Sequence, residues 1–125
     1  MISVLVVERD PSLARLFGEE LADAGFAVRV RPDLAAALAD LRSHPVQVLV
    51  ADEPSMGGQV LCWLPVARLV HDGPVVVLGL DRRDLPRDCP DLLPLPKSSD
   101  LSPLIASLRK QALALWWRNG TTPVC

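Results

Sequence analysis

The stretch Ile2-Ser3-Val4-Leu5-Val6-Val7-Glu8-Arg9-Asp10-Pro11-Ser12-Leu13 decides the fold. Its first six residues are apolar apart from Ser3 and rich in β-branched side chains. That composition suits a strand buried on both faces, as in a parallel sheet. The run ends abruptly in Glu8-Arg9-Asp10. Asp10-Pro11 then reads as a helix start: the aspartate caps, and proline stands in the first turn, where its missing N–H costs nothing. Leu13, Leu16, Phe17, Leu21 and Ala24 follow at helical spacing, and Gly25 stops the helix.

The same alternation continues outward from this unit. Ala27 to Val30, Val46 to Ala51, Val75 to Leu80 and Leu92 to Leu95 read as four further short strands. Helices are expected over Asp33 to Arg42, Gln59 to His71 (interrupted by Pro65) and Leu101 to Trp117. Between the fourth and fifth strands, residues 81–90 carry Pro86 and Pro90, which leave room for one helical turn at most. Strand–helix alternation with short loops implies an α/β fold: a doubly wound, five-stranded parallel sheet of flavodoxin-like topology, order 2-1-3-4-5. The fourth helix is shortened or absent. One domain over residues 1–118 is expected, with 119–125 a tail or the start of a linker.

Ligands of such sheets sit at the carboxyl ends of the strands, beside the switch point between strands 1 and 3. That rule gathers Glu8, Arg9 and Asp10 after strand 1, Asp52 and Glu53 after strand 3, Gly79 and Asp81 after strand 4, and Lys97 after strand 5. Clustered carboxylates repel and need a cation, either Mg²⁺ with its oxygen ligands or a side chain. A carboxylate beside Mg²⁺ and a lysine can also act as a nucleophile toward phosphorus. Asp10 has the alternative role of a helix cap, Glu53 that of a solvated charge, and Lys97 taken alone that of a surface lysine. Glu8 and Asp52 each follow directly on a buried strand, where a charge is costly. The first loop is acidic and lacks glycine, and Met56-Gly57-Gly58 is the sole glycine-rich loop, so a dinucleotide cradle is not expected.

Composition narrows the function further. Fifteen acidic and 13 basic residues give a net charge of −2 in 125 residues, which argues against direct nucleic-acid binding by bulk electrostatics. No apolar run reaches the roughly 18 residues of a membrane span. The first residues lack the basic segment of a signal peptide. Cys62, Cys89 and Cys125 match no zinc or redox spacing and are read as reduced thiols of a cytoplasmic protein. His44 and His71 are expected at the surface.

Over residues 2–118 the chain resembles the receiver domain of two-component response regulators. Val4-Leu5-Val6-Val7-Glu8-Arg9-Asp10-Pro11 is similar to that family's first strand and acidic cluster. Val48-Leu49-Val50-Ala51-Asp52 resembles the strand ending in the phosphoacceptor, and Leu95-Pro96-Lys97-Ser98 the strand carrying the lysine. The resemblance implies phosphoryl transfer from a histidine kinase to Asp52 with Mg²⁺. Glu8 and Asp52 would hold the metal in an acidic pocket that Asp10 shares, and Lys97 would pair with the phosphate. The domain would have no enzymatic activity of its own.

The sequence departs from this pattern at several points. Arg9 replaces a metal-ligating acid. The loop after Asp52 is two residues short. Gly79 stands at the switch position that calls for a hydroxyl, and Pro94 near the position of the switch aromatic. Together these imply a degenerate receiver, a phosphorylation-independent interaction module without a cofactor. The alternative is an active receiver using Mg²⁺. If Arg9 points inward, its guanidinium pairs with Glu8 or Asp52 and excludes the metal; if it swings to solvent, Asp10 takes over metal binding. Partners would be a histidine kinase or a downstream signalling protein. A homodimer through the last helix is also expected, because Leu113 and Trp117 lie off its core stripe.

Overall fold

The computed structural model describes residues 1–85, 89 and 91–121, with side chains through residue 115. In chain order the elements are β1 (Ser3–Val7), α1 (Pro11–Asp23), β2 (Ala27–Arg31), α2 (Leu34–Ser43), β3 (Val48–Asp52), α3 (Glu53–Met56), α4 (Val60–Ala67), β4 (Val75–Leu78), β5 (Leu92–Leu95) and α5 (Ser102–Thr121). All strand pairs are parallel, in the order β2-β1-β3-β4-β5. Alternate residues of the strands feed two cores. Leu5, Val7, Leu49, Ala51, Val75 and Val77 pack with α2 and α4, whereas Val4, Val6, Val48, Val50 and Val76 pack with α1 and α5. Both sheet faces are covered, which is why the central strands read as unbroken apolar runs.

Several boundaries move from their expected places for local reasons. β3 runs through Asp52, so the acid is the last residue of the strand. β4 stops at Leu78 because Gly79 adopts φ +83°, outside the extended region. Residues 53–58, expected as plain loop, contain the single helical turn α3, capped by Asp52 and ended by Gly57 at φ 80°. α4 is shorter than the expected 59–71 and carries Pro65 in its interior. Among the described residues after β4 there is one 3₁₀ turn, Arg82–Asp84, capped by Asp81. Residues 86–88 and 90 lie outside the described set. α5 runs to Thr121, past the expected ends at Trp117 for the helix and 118 for the domain, since no glycine or proline interrupts it before Gly120. The rest of the expected tail, 122–125, lies outside the described residues, as do the side chains of Trp116 and Trp117. No helix among the described residues is long and apolar enough to cross a membrane.

His71 is buried rather than superficial. Its Nε2 lies 3.0 Å from the Pro74 carbonyl, at the turn that feeds β4. A second buried polar cluster joins β2 to α2. Asp40 accepts from Arg29 at 2.7 Å and from Arg31 at 2.8 Å, and Arg29 also donates to the His44 carbonyl. At the opposite edge, β5 turns the N–H and C=O groups of alternate residues toward β4: Val75 N donates to Asp91 O, and Gly79 N to Leu95 O. Leu92 and Pro94 therefore face outward. Leu92 N is taken by Cys89 O, and Pro94 has no N–H, so this edge offers acceptors only.

Candidate functional site

The carboxyl ends of β1, β3 and β5 meet in one cluster. Glu8 follows β1 and Asp52 ends β3. They are 3% and 2% exposed, burial that an isolated carboxylate does not tolerate. Lys97 reaches across from the end of β5, placing its Nζ 2.7 Å from Glu8 Oε1 and in direct contact with Asp52 Oδ2. Ser55, buried in the first turn of α3, supplies the other half. Its backbone N–H donates to Asp52 Oδ1 at 2.9 Å, and its hydroxyl donates to Glu8 Oε2 at 3.2 Å. The Arg9 N–H in turn donates to the Ser55 Oγ at 2.9 Å. Every carboxylate oxygen of the pair has a donor from the protein.

Burial opposes ionisation of Asp52, but the hydrogen bonds from Lys97 and Ser55 outweigh it and hold its carboxyl below the ordinary aspartate range. Burial likewise opposes the charge on Lys97, and its bonds to Asp52 and Glu8 overcome that and raise its pKa. Asp52 and Lys97 thus form an ion pair that Glu8 shares, with Ser55 supplying neutral donors.

The structure brings together Glu8, Asp52 and Lys97 as expected from the sequence, and it places the others differently. Asp10 joins the cluster only through its backbone N–H, 3.5 Å from Glu8 Oε2, and its carboxylate lies outside. Its Oδ1 accepts from Ser12 N at 2.8 Å and Leu13 N at 3.3 Å, so it caps α1. Arg9 is exposed and pairs with neither acid, the solvent-facing of its two expected placements; Lys97 is the cation between the acids. Glu53 is half-buried rather than solvated, and its Oε2 accepts from Val60 N at 2.7 Å, at the start of α4. Gly79 lies against the stem of Lys97: a Cβ built on it would sit 3.6 Å from Lys97 Cβ. Ser55 belongs to no motif read from the sequence. Its available signal was Asp52-Glu53-Pro54-Ser55, an N-cap with proline in the first turn.

No protein-family model matches the chain, and no curated protein does. Solved structures do. The response regulator TrrA of Thermotoga maritima, in complex with Mg²⁺–BeF, superposes with a TM-score of 0.74 over 89% of this chain and 99% of that one, at 23% identity. A two-component response regulator from Clostridium difficile gives 0.78 over 92% and 98%, at 13% identity. The fold is that of a receiver domain. A second structure of TrrA, in complex with the histidine kinase ThkA, matches at 0.74 and 20% identity over 89% and 98%.

The receiver fold raises the question of Mg²⁺, the ion present in the first of these structures. The donor set here does not fit it. Two carboxylates face the pocket, the exposed Arg9 adds no ligand, and each of the four oxygens already has a donor, Lys97 serving two of them. Among the described residues no group of three His, Cys, Asp or Glu side chains could hold a metal.

Proposed function

We propose that this chain is a signalling module of two-component pathways that keeps the receiver fold and binds protein partners without a phosphorylation switch. The engagement of Asp52 carries this reading. Attack on phosphorus uses a carboxylate lone pair, and on Asp52 one is engaged on each oxygen, by Ser55 N on Oδ1 and by Lys97 on Oδ2. The lack of a hydroxyl at Gly79, the exposed cation Arg9 and, among the described residues between β4 and β5, a single 3₁₀ turn support it. The partner is a histidine kinase or a downstream signalling protein, by likeness to the receiver bound to ThkA. The module works in the cytoplasm, catalyses no reaction and does not bind nucleic acid directly. A second copy or a partner docks along α5, where Leu113 is 66% exposed.

The convergence of Glu8, Asp52 and Lys97 favours one other reading, an active receiver accepting phosphate on Asp52. Acetyl phosphate with millimolar Mg²⁺, followed by intact-mass spectrometry, separates the two. We expect no added phosphoryl mass. Ready Mg²⁺-dependent modification that Asp52→Asn abolishes would restore the phosphorelay reading. For α5, Leu113→Glu and Trp117→Ala should abolish self-association in sedimentation, or kinase binding; neither variant changing either property would remove this helix as the contact.

A further inference from the structure

α4 differs from the other helices of this chain in carrying no charged residue. Val60, Trp63, Leu64 and Ala67 face the core, yet the opposite side is apolar too. Leu61, Cys62, Pro65 and Val66 are exposed there, and Leu69 follows one turn on. A helix that is apolar all round belongs in an interior. Here Leu61 is 65% exposed and Leu69 82%. Apolar exposure of that kind, gathered on one element, marks a contact surface.

Two hollows flank this face, one at each end, and their charges are opposite. At the start of α4, Leu61 borders a hollow rimmed by Glu53 and Asp84. Toward its end, Val66 and Leu69 border a groove against Leu38 and Ala39 of α2, and the charge on that groove is Arg42. Both helices leave the carboxyl ends of strands and return over the sheet, so they run side by side in one direction. Arg42, in the last turn of α2, therefore lies at the far end of the face from Glu53 and Asp84, which follow β3 and β4. Asp72 stands near the Arg42 end, and Arg82 and Arg83 adjoin Asp84, but none of the three lines its hollow, and Arg83 is held by Asp81. A face with acid at one end and base at the other complements itself when a second copy lies antiparallel across it; a parallel copy would set like charges together. We propose that the exposed face of α4, with the adjoining groove on α2, binds a second copy of this chain in a two-fold antiparallel pair, Arg42 of each copy meeting Glu53 and Asp84 of the other. This goes beyond the signalling reading above and leaves α5 to the kinase or downstream partner.

Sedimentation equilibrium of the full chain over a dilution series is the test, with circular dichroism to confirm that each variant is folded. The native chain should dimerise, and Leu69→Glu should stay monomeric over the same series. Arg42→Glu and Asp84→Lys should each raise the dimer dissociation constant by about tenfold or more, because each sets like charges together at both ends. Mixing these two variants should restore most of the native affinity, since a mixed pair has a cation opposite an anion at each end. Both positions are exposed, so this charge exchange tests the contact even if Leu69→Glu fails to fold. A native chain that is monomeric at every concentration, a dimer that Leu69→Glu leaves intact, or a mixture no tighter than its components overturns the proposal. Loss of the dimer in Leu113→Glu but not in Leu69→Glu would move the second copy to α5 and overturns it equally.

Discussion

At φ +83°, Gly79 occupies backbone space that a residue with a Cβ enters only under strain. Gly79→Ser should therefore cost roughly 1–2 kcal/mol, visible as a lower melting temperature. A neutral or stabilising effect would show that the turn relaxes freely. Gly73 is constrained differently. A Cβ there would lie 2.6 Å from the Gln47 carbonyl oxygen and 3.1 Å from His71 Cε1. A backbone carbonyl yields less easily than a side chain, so Gly73→Ala should destabilise by about 1–3 kcal/mol in chemical denaturation. At Ser55, the variant Ser55→Ala would leave Arg9 N without its acceptor and Glu8 Oε2 without its closest hydroxyl donor, while Asp52 keeps the backbone bond. The cost expected for a buried group left unpaired is again about 1–3 kcal/mol.

The elements differ in how openly the sequence announces them. Asp10-Pro11 and Asp52-Glu53-Pro54 are the same device, an aspartate cap with proline in the first turn, and both open helices. The second was obscured because α3 is only four residues long and carries no apolar period. Glu8, Asp52 and Lys97 were legible as a site because strand ends in this topology must converge. Asp40 was not, since its burial depends on how α2 rotates over β2, a tertiary detail that no local pattern encodes. Its two arginines offset the cost of burying it. Burial alone would raise its pKa, yet the hydrogen bond and charge of Arg29, with Arg31, bring it below the ordinary value. Removing both cations strands a buried acid. Arg29→Ala with Arg31→Ala should cost at most about 3 kcal/mol, the low end for a broken buried pair, because both guanidinium groups border solvent. Asp40→Leu should cost less than that double variant; the reverse order in urea melts would show the cluster is not organised around the acid.

For the molecule as a whole, acid should weaken the fold in two stages. Burial lowers the pKa of His71, so its contribution is full above about pH 6.5 and is lost as pH falls through the lower folded-state value. Asp40 and Asp52 also titrate below their unfolded values, and what they contribute is lost only below about pH 3.9. His71→Gln can still donate to Pro74 O and does not titrate, so it should erase the first stage and leave the second. A first stage that survives in that variant would assign it elsewhere. At this scale the sequence was most informative: five apolar runs separated by capped helices admit few arrangements, and the order 2-1-3-4-5 followed from right-handed crossovers. The outer edge of β5 was not foreseeable in the same way, because its lack of donors depends on which residues turn outward as well as on where the prolines fall. In polymer terms it is a terminated end. A strand drawing alongside would find acceptors for its N–H groups but no donor for its carbonyls, so only half of the ladder can form there. Growth by edge pairing needs two live ends per molecule, and with one of them crippled a chain of copies stays short.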